Sequence, residues 1–347
     1  MTAVEATRPH RRAVYDLTGF VATLGRWLER YRLGEEEARF TRHLRRAGYD
    51  STRSDPYAVA GVANIAYMLA EQPGDAERRA AWVESLQSFQ DPATGIFVDI
   101  EQSHSHFHTT AHCTAALELF DARPAHPMSF LEPLREVDQL RAFLEEQDWS
   151  QPWRTSHIPA GLASTVTITE TFDHDWLAAW LDWMDAEVDP TTGLWRTGQM
   201  LSTREDPGFF SNLGGAFHYH FVYEHLRQPW PYPERVIDSC LRLLYDSAMT
   251  FAVHRVGFAE IDLVYCLNRA RRQTPHRWDE VTVALTDFTE RVLQLLTDPD
   301  YLDSEAADDV HVMFGAICTV AELQRALPGT IHTPRPLRLV LDRRPFI

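Results

Sequence analysis

The chain has 347 residues, 44% of them hydrophobic, and a formal charge of -17. That is enough apolar content for a large core, and a surface that would repel nucleic-acid phosphates and anionic membranes. All 33 basic residues are arginine, which excludes lysine Schiff bases, P-loops and Ser-Lys pairs.

No apolar run reaches the ~18 residues of a membrane span. Met1 to Arg12 has no apolar core of a secretory signal. Cys113, Cys240, Cys266 and Cys318 show no C-x-x-C spacing. A reduced, cytoplasmic protein is the expectation, with a small-molecule partner rather than nucleic acid, and an oligomeric state that stays open.

In chain order, residues 1–50 read as an N-terminal helix around Leu24, Trp27, Leu28 and Tyr31 plus a strap. Ser54-Asp55-Pro56-Tyr57 then opens an apolar, small-residue helix that stops before Pro73-Gly74. A helix around Trp82, Val83, Leu86 and Phe89 follows. It runs into Gln90-Asp91-Pro92-Ala93-Thr94-Gly95-Ile96-Phe97, a connector that returns as Val188-Asp189-Pro190-Thr191-Thr192-Gly193-Leu194-Trp195. Proline ends the preceding helix, glycine supplies the positive-φ turn, and the aromatic fills the gap between neighbouring hairpins. Degraded copies lie at Gln147–Trp153 and Asp298–Tyr301.

Further openings at intervals near fifty residues read His106-Phe107-His108, Ser156-His157, His218-Tyr219-His220, Glu260-Ile261-Asp262 and Asp308-Asp309-Val310-His311. Outer helices are predicted near Pro233 to Met249 and Trp278 to Leu296, and Asp173 is predicted to cap another. A helix apolar on all sides must be buried on all sides. Six of them alternating with amphipathic helices predict an all-α fold, an (α/α)6 toroid of six hairpins. The inner helices would all begin at one pole and gather the ionisable residues there. It is one domain, 1–347, with toroid repeats over 51–326 and a Pro/Arg-rich segment, 327–347, wrapping the outside.

His108 and His112, four apart, share a helix face as metal-binding pairs do, and His104 and His106 lie just before them. His218 and His220, two apart, cannot both face the axis. Gly214-Gly215 before them reads as a turn. Glu260 and Asp262 sit in an apolar run, where desolvation raises a carboxyl pKa. Catalytic candidates are therefore His108 or His220 as base and Asp309 or Asp262 as acid, with His311 and Glu260 beside them. Tyr57, His106, Phe107, His112, Trp153, His157, Phe217, His218 and Tyr219 are candidates for substrate contact. Each has a plainer reading as a cap or core residue. If a divalent metal is bound, zinc or iron on His108, His220 or His311 and Asp262 is the expected set.

The unit Gln90 to Phe97 followed by His108-Thr109-Thr110-Ala111-His112-Cys113-Thr114-Ala115-Ala116-Leu117 resembles the repeat of the terpenoid cyclase and protein prenyltransferase toroids, over roughly residues 50 to 326. The resemblance implies a toroid with a central cavity. It places Asp262 and His311 where the prenyltransferase zinc ligands fall, although the cysteine position holds Val264. Of the cyclase Asp-x-Asp-Asp only Asp308-Asp309 is present. The reading is a cyclase, isomerase or lyase moving protons on an isoprenoid-like or other compact organic substrate. The alternatives are a carbohydrate-active toroid (hydrolase, lyase or epimerase) and a non-catalytic binding toroid.

Overall fold

The computed structural model describes residues 14–201, 208–246 and 251–347. The signal-peptide reading of Met1 to Arg12, and the last residues of the helix expected to reach Met249, lie outside the described residues. The described chain is mostly helical, with two short strands, β1 (Tyr15–Asp16) and β2 (Ile331–His332), paired in parallel near its two ends. Among the described residues no helix is long and apolar enough to cross a membrane.

Six helices are buried on nearly every side: α2 (Pro56–Leu69), α4 (His106–Glu118), α6 (Pro152–Thr169), α8 (Gly208–His225), α10 (Phe258–Ala270) and α12 (Val310–Ala326). Their starts follow local chemistry. The Asp55 carboxylate accepts from Tyr57 N and Ala58 N ahead of Pro56. Asp309 does the same for His311 N and Val312 N, and Ser105 Oγ accepts from His108 N. Each helix packs on the next, α2 on α4, α4 on α6, α6 on α8, α8 on α10 and α10 on α12, and α12 packs back on α2.

The amphipathic partners are α1 (Thr18–Glu29), α3 (Ala76–Gln87), α5 (Val137–Glu145), α7 (His174–Glu187), α9 (Pro233–Asp246) and α11 (Trp278–Leu296). Asp173 caps α7 through Trp176 N.

Both connectors form the same turn. Asp91 and Asp189 each accept from the backbone and hydroxyls two and three residues on. Gly95 and Gly193 take φ of +81° and +70°, and Phe97 and Trp195 are buried. A Cβ on Gly95 would lie 2.1 Å from the Pro127 carbonyl oxygen, so the turn is both left-handed and closely packed.

Four expectations change. Helix α8 begins at Gly208, so His218 and His220 lie deep inside it rather than at its start. Gly214 and Gly215 are helical: a Cβ on Gly215 would come 2.9 Å from Pro152 O, and their smallness serves close approach of α6, not a turn. The N-terminal helix stops at Glu29, and residues 30–55 form irregular chain with an Arg32–Phe40 bridge. The C-terminal segment does not stay outside. After β2 it turns inward, and Arg344, Phe346 and Ile347 are buried. Phe346 meets the His108 ring edge-on at 4.8 Å and Phe221 at 5.5 Å. Burial of Phe346 and Ile347 offsets part of the cost of burying the Arg344 guanidinium, whose Nη1 donates to Phe346 O.

Candidate active site

A cavity of about 1600 Å³ opens where α4, the loop before it, α6, α8 and α12 bring their histidines together beside the start of α10. Its lining includes His104, His108, His157, His218 and His311. The rings pack in one cluster: His104–His108 at 4.4 Å and stacked, His108–His157 at 4.6 Å, His157–His218 at 5.0 Å, His104–His311 at 5.6 Å. The loops that lead into the helices form its walls.

Hydrogen bonds orient several rings. Ser156 Oγ–H donates to Trp153 O, so Oγ accepts from His218 Nδ1–H at 2.9 Å. Tyr57 OH lies 2.9 Å from His108 Nδ1 and 3.0 Å from Thr109 Oγ1. Ser103 Oγ–H donates to Asp99 at 2.6 Å, Arg42 Nη1 donates to Ser103 Oγ at 3.0 Å, and His104 Nδ1 sits 2.9 Å from Ser103 Oγ. Among the described residues the side-chain hydrogen bonds of His104 and His108 are made at Nδ1, and His218 also bonds the Gly214 backbone. His157 has no hydrogen-bond partner at either nitrogen among the described residues.

Burial, reinforced by mutual repulsion, pushes His108, His218 and His311 well below the ordinary histidine range. Burial and then the nearby Arg154 bring His157 down to about 4. Burial and its cationic neighbours bring His104 to about 2. Burial thus biases all five toward the neutral imidazole, which carries a free lone pair. One nitrogen from each of His108, His157 and His218 lies within 4.8 Å of the others, the one group of three metal-type ligands among the described residues.

The remaining candidates divide. Trp153, Glu260 and His106 line the cavity, His106 at its half-exposed mouth against Phe107 and Phe130. The Glu260 carboxylate accepts from Ala252 N and Gly257 N, tying down the loop before α10. Tyr57 and His112 lie just behind, stacked at 5.1 Å, and neither His112 nitrogen has a partner. Phe107, Phe217 and Tyr219 face other core aromatics: Phe107 meets Phe143, Phe217 meets Tyr265, and Tyr219 meets Trp195. None of the three is among the residues lining the cavity.

Several assigned roles change. His220 is not at the cavity: it stacks flat on Trp230 at 3.7 Å, with Nδ1 3.5 Å from Cys266 Sγ. Two residues along a helix turn a side chain by some 200°, so His218 facing inward forces His220 outward. Asp262 does not face His108 either. Its Oδ2 would be 3.0 Å from a Cβ on Gly214, and neither oxygen has a partner. Burial, and then Glu260, raises its pKa well above the ordinary value. Asp309 is engaged in capping and with Arg42. Neither Asp262 nor His220 reaches the three-histidine group, and His311 stands beside it.

The sequence reading overlooked Arg42, Asp99 and Ser103, which come from irregular chain with no periodic signal. It also overlooked Arg255 and His254 at the rim. All four cysteines are buried free thiols. Comparison with family models, with curated proteins and with solved structures gives no match.

Proposed function

We propose that the chain is a six-hairpin α/α toroid enzyme, a lyase or isomerase acting by proton transfer on a compact organic anion. The closed succession of α2, α4, α6, α8, α10 and α12 supports the toroid reading. One observation carries the function: five neutral imidazoles share the floor of one accessible cavity. A purely structural core has no use for such a floor, because apolar side chains would pack there without ring nitrogens to satisfy.

The wall chemistry supports the substrate class. An isoprenoid chain would favour a deep apolar floor, and this floor is imidazole. Arg154, Arg255 and His254 are exposed on the cavity wall, and Arg154 has no ion-pair partner among the described residues, so a carboxylate or similar anion is the complementary group. An anion seated there also raises the basicity of the nearby rings, offsetting their mutual repulsion. His104 and His311 are then the proton carriers.

A sugar acid is a favoured member of this class because Trp153 and Phe258 offer ring faces on the wall. Lyase or epimerase chemistry suits the site better than two-carboxylate hydrolysis. Both lining carboxylates, Asp99 and Glu260, are occupied by loop backbone.

The test is proton exchange in heavy water, followed by NMR, on a panel of hydroxy acids and sugar acids. Loss of a C–H signal α to the carboxylate in at least one compound is expected, and H104A should slow it by ~100-fold or more. No exchange in any acid would overturn the reading in favour of a non-catalytic binder, and an unchanged rate in folded H104A and H311A would overturn the assignment of these two as proton carriers.

A further inference from the structure

We propose that His108, His157 and His218 hold a divalent transition-metal ion of the zinc type, with its remaining position open to the cavity. The inference rests on reading this cavity as the reaction site, and it names the cofactor of that site.

Three features of the group point to a cation rather than to packing. The ligands come from three successive helices, α4, α6 and α8, and one nitrogen of each lies within 4.8 Å of the others. A tetrahedral ion at ~2.0–2.1 Å from each nitrogen needs nitrogens about 3.4 Å apart, a contraction that small side-chain rotations provide. The second feature is orientation. Metal-bound imidazoles hold their other N–H in a hydrogen bond, which fixes the tautomer. Ser156 does this for His218, and Tyr57 pairs with Nδ1 of His108. The third is deficiency: His157, between them, has no hydrogen-bond partner among the described residues, so its ring nitrogens are uncommitted beside those of His108 and His218.

The donor set decides the class of ion. Three neutral nitrogens suit zinc, cobalt or iron and are poor for magnesium or calcium, which require oxygen. Three protein ligands with one open position is the arrangement of catalytic rather than structural zinc. His108, His157 and His218 all line the cavity, so an incoming carboxylate reaches the open position. The ion would polarise that carboxylate and stabilise charge developing next to it. His104 and His311, outside the ligand set, remain available for the proton.

The experiment is calorimetric titration of Zn2+ into chelator-treated full-length protein, with Co2+ absorption as a second readout. One saturable site per chain is expected, with the intense visible bands of tetrahedral Co2+. S156A should weaken zinc by ~10–100-fold, and H157A by more. H332A, an exposed histidine beside Asp16, should leave it unchanged. If H157A fails to fold by circular dichroism, H157Q and H218Q replace it. No saturable site in wild type, or a site that survives H157A and H218A, would overturn the proposal. Undiminished proton exchange in chelator would overturn the metal and leave the acid–base reading standing. A tight zinc site with no exchange of any acid would do the reverse.

Discussion

Arg42 closes on Asp309 through two 2.9 Å bonds, Nε to Oδ1 and Nη2 to Oδ2, while Asp309 Oδ1 also caps α12. The pair fastens the irregular segment before α2 to the start of the last buried helix. Both side chains are largely buried, 9% and 16% exposed. Asp309 therefore has a structural duty, as cap and as partner of Arg42. D309N keeps a good cap but leaves Arg42 without its counter-charge. A loss of about 3 kcal/mol is expected in urea denaturation, partly recovered in R42M/D309N. A loss below ~0.5 kcal/mol, the scale of an exposed pair, would show that solvent screens this one.

Asp262 gives a pH-dependent prediction. Burial raises its folded pKa well above the ordinary value, so the folded state holds its proton longer than the unfolded chain does. Stability from this group is full below the unfolded pKa of about 3.9 and is lost as pH rises through the folded pKa. D262N removes that loss. Its midpoint in denaturant should exceed wild type by little at pH 4 and by progressively more toward pH 7. A difference constant with pH would mean the carboxylate has found a partner in solution.

Gly161 sets the distance between α4 and α6. A Cβ there would lie 2.6 Å from Phe107 O and 3.2 Å from His108 N, so G161A must push apart the helices that carry His108 and His157. Helix propensity alone favours alanine by ~0.5–1 kcal/mol. Overpacking against backbone costs ~1–3 kcal/mol and should win, lowering both the melting temperature and zinc affinity. G19A, with open space around it, is the opposite case and should be neutral or slightly stabilising.

His220 separates the cavity histidines from their neighbours. Its Nε2 is buried without a partner, and its ring stacks on Trp230. H220F keeps the stack and removes an unsatisfied group, so stability should hold or rise by ~1 kcal/mol, with proton exchange unchanged. A loss of turnover in folded H220F would return this residue to the chemistry.

Much of the helical content and several of the starts were legible in the sequence. Asp55, Asp173 and Asp309 cap as their neighbours required, because a cap is a contact between residues two or three apart. The Asp-Pro-x-Thr-Gly connector was legible for the same reason: its carboxylate, hydroxyls and positive-φ glycine act within one turn. The alternation of all-apolar and amphipathic helices also comes directly from composition.

The site was only half legible. That histidines would gather follows from where they cluster along the chain. Which of His218 and His220 turns inward depends on the phase of α8, and that phase is set by Gly214 and Gly215 nesting against Asp262, Trp153 and Pro152. Arg42, Ser103 and Ser156 acquire their roles through partners up to 267 positions away, and Phe346 reaches His108 from the far end of the described chain. Local chemistry, short in range, determined the elements and their caps. Side-chain direction in the cavity is a property of how helices pack against one another, and only the tertiary structure decided it.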